Sequence, residues 1–186
     1  MVPVVSLWIP IIVAAVLVFG VSSIIHMALG YHANDFDQVP NEDEFLDRIR
    51  DLGVPAGSYV FPKAPTMKAW KTPEFQEKMS RGPMGMITVW PGGPPKMGGS
   101  LAMWFGYAVL VGIIAAYVSG RALAPGAHYL SVFRFAGVTA FCCYGMALLQ
   151  NSIWFKRKWR QTFVSMFDAL IYALVTAGTF GWLWPV

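Results

Sequence analysis

Charged residues are scarce in this sequence: Asp, Glu, Lys and Arg make up 13% of its 186 residues, against about a quarter in soluble domains. The shortage is local. Four stretches, residues 3–30, 101–120, 127–155 and 162–184, hold almost none of the charge. Each matches or exceeds the roughly 20 apolar residues that cross about 30 Å of hydrocarbon. None shows polar residues at every third or fourth position, as the wet face of a soluble helix requires. The predicted fold class is an all-α membrane protein with four transmembrane helices (3–30, 99–121, 127–155 and 161–184). A partly structured cytoplasmic loop of 68 residues, 31–98, joins the first two spans.

Other absences narrow the chemistry. There are only three histidines, His26, His32 and His128. Bis-His haem needs two at one depth on facing helices, and no two spans supply such a pair. The two cysteines, Cys142 and Cys143, are adjacent, so on a helix they diverge by about 100° and pack as small residues. No phosphate-binding loop, zinc-protease or nucleophile-elbow motif is present. No internal repeat relates the two halves, as many transporters would show. No Lys or Arg precedes the first apolar run, which is about twice the length of a signal-peptide core, so it is read as a retained helix. The formal charge of +4 comes from basic residues beside the spans, a matter of topology rather than of nucleic-acid binding. No cofactor or metal is assigned. His26 and His32 with Asp35 and Asp37 have metal-ligand side chains, but their spacing is not diagnostic.

What charge remains sets a direction. The connection between the third and fourth spans holds Lys156, Arg157, Lys158 and Arg160, whereas that between the second and third holds only Arg121. Short basic loops stay inside, so 152–161 and 31–98 are predicted cytoplasmic and both termini external, in a bacterial-type inner membrane. Trp8, Tyr129, Trp182 and Trp184 then mark the outer boundary, and Tyr31, Trp104, Trp154 and Trp159 the inner one.

Small residues recur every fourth position: Ala108, Gly112, Ala116 and Gly120 in the second span, and Ala169, Ala173, Ala177 and Gly181 in the fourth. Such rows make seams where helix backbones approach closely, within a chain or between chains. Three ionisable residues lie at membrane depth, His26, Arg134 and Asp168, and such residues are candidates for function. By rise per residue, Asp168 and Arg134 differ in depth by about 10 Å, too far for a salt bridge. Arg134 is expected to reach outward to lipid phosphates or an interface. His26 and Asp168 share the inner half with Ser22, Tyr144, Gln150, Asn151 and Ser165. The expectation is a polar cluster in which Asp168 accepts a hydrogen bond from His26 or Tyr144; the plainer alternative is that these groups only tie helices together.

Within the loop, Asn41-Glu-Asp-Glu44 opens a helix that ends at Gly53, with Asn41 as cap and Phe45, Leu46, Ile49 and Leu52 on one face. Thr72-Pro73-Glu74 opens a second that ends near Gly82. Tyr59–Phe61 and Met86–Trp90 read as short extended pieces. Residues 31–61 hold seven acidic and two basic side chains, and 62–98 two acidic and six basic. A basic half near anionic headgroups and a docking surface both fit that division. Membrane lipids and either other subunits or further copies of the chain are the expected partners. The preferred function is a non-catalytic accessory or scaffolding subunit of a larger membrane complex; the alternatives are a small oligomeric transport or proton-conducting protein using the His26/Asp168 region, and an enzyme acting on lipid or quinone near the inner interface.

Overall fold

The computed structural model describes residues 1–186. Four helices are long and apolar enough to cross a membrane, which makes this a multi-pass membrane protein: Val4–Ala28, Met97–Ala122, Tyr129–Phe155 and Trp159–Trp182. The first is a short 3-10 turn, Val4–Leu7, running into α1, Trp8–Ala28. The second is α4, Met97–Ala122, and the fourth is α7, Trp159–Trp182. The third comprises α5 (Tyr129–Tyr144) and α6 (Leu149–Phe155), with a 3-10 turn between them. That break falls where Gly145 presses against α7: a Cβ on it would sit 3.1 Å from the Ala169 methyl.

The spans form a ring in which α1 and α5 each touch both α4 and α7. Small side chains hold much of the interior of this bundle: Ala14, Ala115, Ala136, Ala140, Ala173 and Ala177 are buried beside Leu7, Val18, Val111 and Phe180, while Ile9, Leu17, Leu110, Phe163 and Leu170 are exposed. Lipid tails are as apolar as Leu, so hiding large side chains gains little in a bilayer, and close backbone approach gains dispersion energy. The small-residue rows sit at such approaches within the chain. A Cβ on Gly112 would lie 3.2 Å from the Ile11 side chain, and one on Gly120 would overlap the Val2 carbonyl oxygen. Ala177 faces Gly137, and Gly181 lies under the ring of Tyr129. Ala116 and Ala173 are buried as well, in two different clusters of the interior.

One end of the bundle is closed by the chain termini. The Val2 amide donates to the Gly120 carbonyl at 2.8 Å, the Gly126 amide to Pro185 at 2.9 Å, and Trp184 Nε1 to Ala124 at 3.0 Å. The other end is closed by residues 31–37, which belong to the helical unit rather than to the loop. Gly30, at φ +60, turns the chain just beyond α1 in a conformation that favours glycine.

Residues Gln38–Pro95 form a separate unit. It contains α2 (Glu42–Asp51), α3 (Pro73–Arg81) and an antiparallel pair, β1 (Gly57–Phe61) and β2 (Gly85–Val89), in the register Tyr59↔Ile87. The all-α expectation is corrected here: the two extended pieces pair into a sheet. Its alternation of half-buried and exposed residues is the period-2 pattern of a strand with one covered face. Thr72 caps α3 as expected, its hydroxyl accepting from the Phe75 amide at 3.3 Å. Asn41 does not cap α2. It is left-handed (φ 52) and makes no side-chain cap bond, because capping needs an extended backbone at that position. None of residues 38–95 is buried. The expected apolar face of α2 is open, with Leu52 76% exposed.

Candidate functional site

The polar groups of the helical unit converge at the end closed by residues 31–37. Asp168 sits in the third turn of α7 with its side chain only 5% exposed. The Tyr31 hydroxyl donates to its Oδ1, and His32 Nε2 lies 2.8 Å from its Oδ2. His32 is bonded on both sides, since its Nδ1 is 2.6 Å from the buried carboxylate of Asp35. Arg160 closes the outside, reaching Asp35 at 3.4 Å and the Tyr31 carbonyl at 3.2 Å. Lys158 pairs with the exposed carboxylate of Asp37.

His26 completes the cluster from the last turn of α1. Its Nδ1–H donates to the Ser22 carbonyl at 3.0 Å, and its ring stacks on His32 with centroids 4.7 Å apart and planes 11° apart. One ligand atom from each of His26, His32 and Asp168 lies within 4.8 Å of the other two. His32 is held toward its charged form. Partial burial works against the charge, but the hydrogen bonds and negative charges of Asp35 and Asp168 outweigh it and raise the pKa. Burial and then the Asp168 contact push the Tyr31 hydroxyl well above the usual tyrosine range, so it stays a donor.

Toward the bilayer interior an aromatic layer covers the cluster. Trp104, Tyr107, Tyr144 and Tyr172 pack with ring centroids 5.6–6.1 Å apart, mostly tilted or edge-on as ring quadrupoles prefer. Trp104 Nε1 and the Tyr172 hydroxyl are buried there without partners. Beside α7, an apolar groove of about 350 Å³ is lined by Tyr31, Phe163, Val164 and Phe167.

The expected cluster is regrouped by these contacts. His26 and Asp168 are brought together, and Ser22 joins through its carbonyl. Asp168, however, is bonded to Tyr31 and His32 rather than to His26 or Tyr144. Tyr144 belongs to the aromatic layer. Gln150 is exposed on α6, and Asn151 uses its carbonyl to accept the Arg157 amide at 3.2 Å. Arg134 is exposed on α5 and makes no ion pair, with Asp168 or any other acid. Tyr31 and Arg160 are the residues that sequence reasoning missed, having been read as a belt aromatic and a topology charge; His32 and Asp35 were named only with His26 and Asp37, as metal-ligand side chains of undiagnostic spacing. The available signal was His26, His32 and Asp35 flanking Gly30, where a turn returns the chain to the helix end. No family model, curated protein or solved structure matches the chain.

Proposed function

We propose that this protein binds and acts on the polar head of a lipid-soluble molecule, a lipid or a quinone, at one face of the membrane. The observation that carries this reading is the meeting of the groove at Phe163 and Phe167 with Tyr31, whose hydroxyl is bonded to the buried Asp168. A molecule with its tail along that groove brings its head to a carboxylate, two imidazoles and a phenol. Carboxylates and imidazoles inside or beside a span are costly to hold there and are characteristic of working sites. The basic residues 156–160 support a cytoplasmic position for this face, as the excess of Lys and Arg on that side favours, in what is read as a bacterial-type inner membrane. Conduction along the bundle has less support, because beyond Tyr172 the interior is filled by Val111, Ala115 and Ala177, each at most 1% exposed.

Native mass spectrometry of the full chain released from its own membrane tests the reading. The expected result is one lipid or quinone retained per chain, reduced at least tenfold by Phe163→Ala with Phe167→Ala. A chain that retains none, or retains it equally in that variant, overturns it.

A second reading is favoured by a different feature. Residues 38–95 have no buried side chain and leave Trp90 and Met67 77% and 82% exposed, which supports an accessory subunit whose outer segment is covered by another subunit or a further copy. Co-purification in mild detergent decides it, and a single monodisperse chain counts against it.

A further inference from the structure

Three side chains at the charged end of the bundle are each anchored on the atom facing away from the others; His26 is free on its second ring nitrogen, while His32 and Asp168 share a hydrogen bond that a bound ion would replace. His26 spends Nδ1 on the Ser22 carbonyl, so its Nε2 keeps a lone pair. His32 spends Nδ1 on Asp35, which turns Nε2 toward Asp168. Asp168 spends Oδ1 on Tyr31 and leaves Oδ2 beside His32 Nε2. Metal-bound histidines and carboxylates are held in this way, by a carbonyl, a carboxylate or a hydroxyl on the atom away from the ion. The separation fits as well. Ligand bonds of about 2.0–2.1 Å at a tetrahedral angle place neighbouring donor atoms roughly 3.3 Å apart. His32 Nε2 and Asp168 Oδ2 are 2.8 Å apart and the three ligand atoms lie within 4.8 Å of one another, so side-chain movements of about 0.5–1.5 Å gather them around one ion.

We propose that His26, His32 and Asp168 bind one divalent transition-metal ion, with Ser22, Asp35 and Tyr31 orienting the three ligands. Two imidazoles and one carboxylate select zinc, iron(II) or cobalt(II) over magnesium and calcium, which take oxygen donors. Three protein ligands leave at least one position open. The exposure of His26 puts that position within reach of water or of the head of a bound molecule. The inference uses the same cluster as the proposed function, and rests on that reading only for what occupies the open position.

The test uses the full chain in nanodiscs, stripped with a chelator and titrated with Co²⁺ and Zn²⁺. Wild type is expected to take up one ion per chain and to give the ligand-field absorption of a low-coordinate Co²⁺ site. His26→Gln leaves the Tyr31, Asp168, His32 and Asp35 contacts in place and is expected to weaken binding at least 100-fold with unchanged helicity. Asp35→Asn, one bond removed from the ion, is expected to weaken it about 10- to 100-fold. No stoichiometric uptake by wild type, or undiminished uptake by His26→Gln, overturns the assignment. Failure of the lipid-head reading looks different: metal uptake is then normal while no lipid-soluble molecule is retained, and Phe163→Ala with Phe167→Ala changes neither.

Discussion

The helical unit and the segment Gln38–Pro95 are built on opposite principles. In the first, the buried charges are paired in one polar network beside an aromatic layer, and the helices approach closely at alanine and glycine. In the second, caps, ion pairs and a two-stranded ladder hold local shapes, and no side chain is buried. Its ion pairs, such as Arg81–Glu77 with side chains 77% and 63% exposed, add little, since exposed pairs contribute about 0–1 kcal/mol. Stability of the helical unit therefore resides in close contacts and one buried polar network, and the segment Gln38–Pro95 is stable only as far as its local structure allows. The bilayer enforces this difference. Backbone groups and charges at depth have no water to turn to, whereas those of that segment do.

Substitutions on the two sides should separate by size of effect. The largest is Asp168→Ala, which strands His32 and Tyr31 together. Breaking a fully buried pair costs about 3–5 kcal/mol. His32 keeps 18% exposure, so a loss of about 2–3 kcal/mol is expected in detergent unfolding. A loss under 1 kcal/mol would mean that the network is not a unit.

Next is Gly112→Leu, whose side chain has to enter the space held by Ile11. Overpacking of this kind costs about 1–3 kcal/mol, and thermal unfolding of the purified protein reads it. An unchanged midpoint would deny that α1 and α4 meet there. Exchanging 38–95 for a flexible linker is expected to move the same midpoint by less than about 0.5 kcal/mol. A larger drop would erase the contrast between the two units. The smallest effect belongs to Leu52→Ser, at a side chain 76% exposed just past the end of α2. It is expected to leave stability unchanged and to alter only binding of whatever covers that face, as measured by recovery of co-purifying subunits.

The four spans were legible in the sequence because crossing hydrocarbon is a local requirement: each stretch must be apolar along its whole length, whatever its neighbours are. The cap at Thr72 and the turn at Gly82 were legible for the same reason, being decided within a few residues. Asp168 could be singled out by its depth alone. Its partners could not, because hydropathy places His32 and Asp35 beyond the end of a span and says nothing of the return turn at Gly30. Nor does it say that α1 lies beside α7. Tyr31 and His32 are 137 and 136 residues from Asp168 along the chain, and only the ring order of the helices makes them neighbours. Sequence alone thus determined the number and length of the spans and which ionisable groups lie at depth, since solvation acts residue by residue. Tertiary structure decided which groups meet, because pairing depends on helix adjacency and rotation, which no single stretch encodes.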